Sequence, residues 1–196
     1  MCANLKQYAD DGWLTSEIRR IGHACFSQVY WPSIDNVINT YDQEHSIFAF
    51  SNTGKLQGFI LIRRVDLMPT INGDSLQSCR PPDSPGCPLH IEFVGVDPAN
   101  NGMGIGSLMM KAALLRCDTT QQNQNYKMQQ LSHLAISEDP DKLVCILKSE
   151  QDNRPLFWLH VDIDNYAAQH IYKKNGFTVL KRVPDDFGYD GYIMIR

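Results

Sequence analysis

Val96-Asp97-Pro98-Ala99-Asn100-Asn101-Gly102-Met103-Gly104-Ile105-Gly106-Ser107 joins a strand to a helix, and its reading decides the fold. Before it, His90 to Val96 is rich in β-branched and aromatic residues and reads as a strand. After it, Ile105, Leu108, Met109, Ala112 and Leu115 recur at helical spacing and predict a helix with those residues on its apolar face. The first backbone N–H groups of a helix have no internal partner, and the helix dipole is positive there. Glycines let such a chain approach a phosphate with no Cβ in the way. The amides from about Met103 to Ser107 are therefore a candidate seat for a pyrophosphate.

Two other glycine loops fit less well. A dinucleotide-binding loop requires GxGxxG directly after the strand, but here the spacing is GxGxG and Asp97 to Asn101 intervene. A nucleotide-triphosphate loop requires GKS or GKT, and neither is present.

Working outward, residues 15 to 30 predict a helix capped by Thr15 or Ser16. Ile18, Ile21, Cys25 and Val29 lie on one face, and Pro32 ends it. A short helix is expected around Ile34 to Tyr41. Ser46 to Ser51 and Leu56 to Val65 read as a hairpin about the turn Asn52-Thr53-Gly54. Met68 to Pro88 holds five of the ten prolines and reads as a loop. Residues 118 to 155 form a polar, Gln- and Asn-rich insert, with helices expected near 124 to 136 and 141 to 149. Leu156 to Ile163 is a strand. Asn165 then caps a helix running to Lys174, which Gly176 ends in a left-handed turn. Phe177 to Val183 and Tyr192 to Ile195 are the last strands. The whole predicts a single α+β domain over residues 1–196, with a mixed, mostly antiparallel sheet covered by helices on both faces.

Asn165, Ala168, Tyr172, Gly176 and Phe177 spell NxxAxxxYxxxGF. On a helix the first three lie along one stripe. A small residue beside a tyrosine leaves a groove in which a thioester could lie with a phenol near its sulfur. Taken with VxPxxxGxGxG earlier in the chain, this resembles the GNAT superfamily of acetyl-CoA-dependent N-acetyltransferases. The order of elements agrees from about residue 15 to the end, but the first strand is not evident in residues 1 to 12. The resemblance implies a sheet splayed between the strands at 90 to 96 and 156 to 163. It also implies acetyl-CoA as cofactor, held by Val94, Val96, Asn101, Gly102, Met103, Gly104, Ile105, Gly106, Ser107, Asn165, Ala168 and Tyr172. Asn101 stands where the family usually has Arg or Gln, so a charge is missing there. The insert at 118 to 155 is longer than is usual in the family.

The resemblance makes Tyr172 the general acid toward the CoA sulfur and the Val94 N–H the donor to the thioester oxygen. An alkyl ammonium has a pKa of about 10.4, so the enzyme must also take a proton from it. Strand alternation puts His90, Glu92, Val94 and Val96 on one face, and Trp158, His160, Asp162 and Asp164 on one face of the other strand. Glu92 and His160 lead as base candidates, with His90 third and a water chain as the alternative.

The acceptor is expected to be a small polycationic amine such as a polyamine, because Glu92, Asp162, Asp164, Asp185, Asp186 and Asp190 can pair with distal ammonium groups. The rival is a protein N-terminal acetyltransferase, which SQVYWPS, Leu159 to Val161 and the tyrosines of the tail resemble. Tyr189 and Tyr192 then become substrate contacts. A third reading is a non-catalytic acyl-CoA-binding module.

A net charge of −4 argues against a nucleic-acid partner. No apolar run is long enough to cross a membrane, and the N-terminus does not read as a signal peptide. A cytoplasmic location is expected. The six cysteines include no CxxC pair, so no metal site is expected; Cys79 and Cys87 share a Pro-rich loop and could meet, but nothing suggests an oxidising compartment and no disulfide is expected. A homodimer is compatible with the resemblance, although no apolar stripe compels one.

Overall fold

The computed structural model describes residues 11–65, 67–69, 76–78, 88–122, 156–184 and 190–196. Its helices are α1 (Asp11–Cys25), α2 (Trp31–Ile38), α3 (Ile105–Gln122) and α4 (Tyr166–Lys174). Its strands are β1 (Ile47–Phe50), β2 (Leu56–Arg64), β3 (Leu67–Pro69), β4 (Leu76–Ser78), β5 (Leu89–Val96), β6 (Phe157–Asp162), β7 (Thr178–Pro184) and β8 (Asp190–Ile195). The α+β expectation holds, and the strand registers of β1/β2, β3/β4, β6/β8 and β7/β8 are all antiparallel. The chain forms two compact units, residues 1–63 with 91–113, and residues 64–90 with 114–196.

In the first unit the sheet order is β1-β2-β5. Ile18 and Ile21 of α1 and Ile34, Val37 and Ile38 of α2 pack with Leu56, Phe59, Leu61 and Phe93 to make its core. Burial of each such side chain is worth about 1.5–3 kcal/mol. On β5, Leu89, Ile91, Phe93 and Gly95 are buried, while His90, Glu92, Val94 and Val96 are half-buried. The alternation read from the sequence is therefore the one observed.

In the second unit β8 lies between β6 and β7. Phe157, Leu159 and Val161 are buried, and Trp158, His160 and Asp162 occupy the opposite, half-open face. Leu89 N–H donates to the Leu156 carbonyl at the start of β5. The Asn165 side chain caps α4, accepting from Ala168 N–H at 3.1 Å, and Gly176 follows it with φ +87°.

Several boundaries differ from the expectation. Helix α1 starts and ends earlier than residues 15 to 30. Ser16 does not cap it; its hydroxyl donates back to the Gly12 carbonyl at 2.8 Å, as serines inside helices do. Val29 therefore falls in a short 3-10 turn and is exposed. Pro32 stands in the first turn of α2, where its missing N–H costs nothing, so it opens a helix rather than closing one. The Met68–Pro88 stretch is not all loop: β3 and β4 pair there, with Pro69 opposite Leu76.

On α3 the buried stripe is Met109, Met110, Ala113 and Leu114, whereas Leu108 and Leu115 are exposed. Two apolar stripes of the same period overlap on this helix, and packing against the sheet selects one; Met109 lies against the position of Gly58. The expected helices near 124 to 136 and 141 to 149, and the pair Cys79 and Cys87, lie outside the described residues.

Candidate active site

The glycine loop is built from its first residue. Asp97 is 4% exposed and closes β5. Its Oδ1 accepts from Ala99 N–H at 3.1 Å, capping the turn Pro98–Asn100, and Pro98 stands at that turn's first position. Its Oδ2 accepts from Arg20 of α1 at 2.9 Å, and Arg20 is itself gripped by Glu17. The Ala99 N–H and the Arg20 guanidinium hold the Asp97 carboxyl below the usual carboxylate range. The Cys25 Sγ sits 3.1 Å from the Val96 carbonyl, and burial pushes its thiol up. Two residues of α1 thus fasten the chain where it leaves β5.

Beyond that anchor the chain turns through Gly102 (φ +78°) and Gly104 (φ +77°). A side chain is strained in this region by roughly 1–2 kcal/mol. Nothing lies within 4 Å of where either Cβ would be, so the protein itself leaves the space in front of the loop open. Leu108 N–H reaches the Gly104 carbonyl at 3.0 Å. The N–H groups of Ile105, Gly106 and Ser107 have no acceptor among the described residues. Free amides, a positive helix end and an unobstructed approach fit the diphosphate of a CoA. Asn101 and Met103 are exposed on the rim, Met103 at 68%.

Glu92 is not a free carboxylate. Its Oε1 accepts from Arg63 Nε at 2.5 Å, and Arg63 Nη2 also closes on it. Acting as a base would first require breaking this half-buried ion pair.

His160 has a different environment. Its Nε2 is buried and has no hydrogen-bond partner among the described residues. The ring lies over Gly191, where an added Cβ would sit 2.6 Å from Nε2 and 2.5 Å from Cε1. Strand register puts Gly191 of β8 opposite Asp162, so the glycine makes room for the imidazole. Two residues back on the same face, Trp158 stacks on His90 with centroids 3.6 Å apart and planes 8° apart. The Trp158 Nε1 is also buried without a partner among the described residues.

The remaining candidates scatter. Tyr192 pairs with Val161, which places it on the opposite face of β6 and β8 from His160. It lies across from Arg182 on β7. Asp190 is bound to Arg182 at 2.5 Å, and Asp164 is exposed in the turn before α4. Tyr189, Asp185 and Asp186 lie outside the described residues.

Tyr172 is buried in α4, and its ring meets Phe177 at 5.9 Å. Burial pushes its phenol well above the ordinary value, so it carries its proton throughout the physiological range. The Asn165 carboxamide oxygen is engaged in the α4 cap, and Ala168 follows it on the same helix.

Arg63, Arg20, Trp158 and Gly191 were not singled out from the sequence. Asp97 followed by Pro98 is a legible cap signal, and Trp158 stands on the face already read as functional. Nothing local identifies Gly191 or the arginine pairings, because register and packing create them.

Among the described residues no helix is long and apolar enough to cross a membrane. No curated protein matches the chain in sequence. Solved structures do match it in fold. Naa50 of Arabidopsis thaliana, in complex with the bisubstrate analogue CoA-Ac-MVNAL, superposes with a TM-score of 0.55 at 17% identity, covering 95% of this chain and 93% of that one. The GNAT acetyltransferase of Streptococcus pneumoniae gives 0.55 at 16% identity, with 95% and 92% covered. Ard1 of Thermoplasma volcanium gives 0.53 at 18% identity, with 93% and 89% covered. The model of the Acetyltransferase (GNAT) family matches residues 14–132, which include the whole glycine loop. The chain belongs to the GNAT acetyltransferase family and is an enzyme that uses acetyl-CoA.

Proposed function

We propose that this acetyltransferase acetylates the α-amine of a peptide, with His160 as the base and Tyr172 as the acid. The observation that carries the reading is the His160 imidazole: half-buried, packed over Gly191, and with a covered Nε2 that has no hydrogen-bond partner among the described residues. In the tautomer protonated at Nδ1, Nε2 presents a lone pair able to take a proton from an incoming ammonium. Bound acetyl-CoA supplies the acetyl carbon and a thiolate leaving group. The free amides of residues 105 to 107 hold its diphosphate. Tyr172 Oη holds a proton for the departing sulfur. A phenol is a weaker acid than a thiol, and burial widens the gap, so this proton moves only as sulfur becomes anionic.

A polyamine acceptor, favoured from the sequence, is less well supported. It required several free carboxylates, yet Glu92 is bound by Arg63 and Asp190 by Arg182. A neutralised carboxylate offers little to a distal ammonium.

The test is acetyl-CoA turnover, followed by thiol release, against putrescine, spermidine, spermine, lysine, an arylalkylamine and a peptide with a free N-terminus. Saturable turnover with the peptide, abolished by blocking its α-amine, is expected. Turnover confined to the polyamines would overturn the acceptor assignment, and thiol release with none of them would sink the transfer reaction itself.

A further inference from the structure

Trp158 and His160 project from one face of β6, two residues apart, so their Cα atoms are about 6.5 Å apart. Each keeps one buried ring nitrogen without a partner among the described residues. A buried polar group left unsatisfied costs about 1–3 kcal/mol, and native structures hold few of them. Two on adjacent side chains of one strand face form a pair of complementary demands. The indole nitrogen can only donate, whereas the imidazole Nε2 can accept. His90, stacked flat at 3.6 Å, keeps the indole plane from turning.

One small ligand satisfies both nitrogens if it carries a proton donor and a hydrogen-bond acceptor a few bonds apart. An α-aminoacyl group has this arrangement: the ammonium donates, and the first carbonyl oxygen accepts. A plain alkylammonium or a protonated polyamine carries donors alone and would leave the indole N–H unpaired. We propose that Trp158 is a specificity-determining residue that reads the first carbonyl of the acceptor and so selects α-aminoacyl groups over alkylamines. This rests on the proposed role of His160 in the same site. A site built to bond a polar group rejects the analogue that lacks it far more strongly than an apolar site rejects a missing methylene.

Two measurements test it. The first compares kcat/KM for an alanyl tripeptide amide with that for an alkylamine of similar size, in the wild type and in Trp158→Phe. The wild type should prefer the tripeptide. The variant should lose tenfold or more toward the tripeptide and change little toward the alkylamine. An equal loss toward both would reduce Trp158 to a packing role, and an unchanged preference would remove it from recognition. The second follows the Trp158 indole ¹⁵N–¹H resonance in His160→Gln as acceptor is added, a readout of binding that does not depend on turnover. The resonance should move with the tripeptide and stay still with the alkylamine. Movement without any transfer in the wild type would leave the inference standing and remove the proposed reaction. Transfer to the tripeptide with no movement of the resonance would overturn the inference.

Discussion

Tyr172 shows how much a single position yields. Its spacing from Asn165 and Gly176 was legible because a helix repeats every 3.6 residues, whatever it packs against. Its raised phenol pKa was not legible, because that arises from burial within the unit. Tyr172→Phe should lower kcat well over tenfold and leave the acetyl-CoA KM nearly unchanged, since the proposed role of the hydroxyl is toward the leaving group rather than the diphosphate. Steady-state kinetics with both substrates varied would check this.

Glu92 and His160 were equal as base candidates while only strand alternation was available. The Arg63 pair separates them. His160→Gln should reduce kcat by about 10²-fold or more, the usual scale for loss of a general base. Glu92→Gln should act mainly on stability, because it leaves Arg63 without its counter-charge. Thermal melts and turnover of both variants would read this; a catalytic loss for Glu92→Gln matching that of His160→Gln would reverse the assignment. Gly191→Ala places a methyl 2.6 Å from His160 Nε2 and 2.7 Å from the Val161 carbonyl, so it should impair both stability and kcat.

The element that matters most is the glycine loop with its anchor on α1. Its glycines and its helix start were evident from sequence, as was the cap on α4. The link from Arg20 to Asp97 spans 77 residues and has no local signature. Arg20→Ala should raise the acetyl-CoA KM several-fold, with the acceptor KM and kcat little changed, and Arg20→Lys should restore part of the loss. Asp97 carries a depressed pKa, so its contribution is present above the unfolded carboxylate value of about 3.9 and is lost as pH falls through the lower folded value. Affinity for acetyl-CoA titrating away between pH 6 and pH 8 would therefore not come from this clamp. Helix α3 teaches the complementary lesson. Both of its apolar stripes have the right period; of the residues expected to face inward Met109 is buried and Ile105 and Ala112 are half-buried, whereas Leu108 and Leu115 are exposed. Periodicity establishes that a helix is amphipathic, but a helix with two candidate faces needs its neighbours to choose.

For the molecule as a whole, binding of CoA to the native state should appear as added stability. At 100 times Kd the gain is about 2.7 kcal/mol. For a chain of this size that corresponds to a rise in Tm of roughly 5–10 °C. Gly104→Ala should lower the melting temperature of the free protein through its left-handed backbone and remove most of the rise on adding CoA, because a Cβ would enter the open approach. Differential scanning of both proteins with and without CoA is the check; an undiminished rise in Gly104→Ala would move the diphosphate off this loop.

The sequence by itself determined the α+β class, the alternation of β5 and β6, the glycine turn and the caps of α4. These depend on backbone geometry and on the period of side chains along one segment, which are local properties. Tertiary structure alone decided which carboxylates are neutralised, which face of α3 is buried, and that Tyr192 lies on the other face of the sheet from His160. It also decided that Gly191 makes room for the imidazole. Those outcomes depend on strand register and on charges brought together from distant parts of the chain, and no local pattern encodes either.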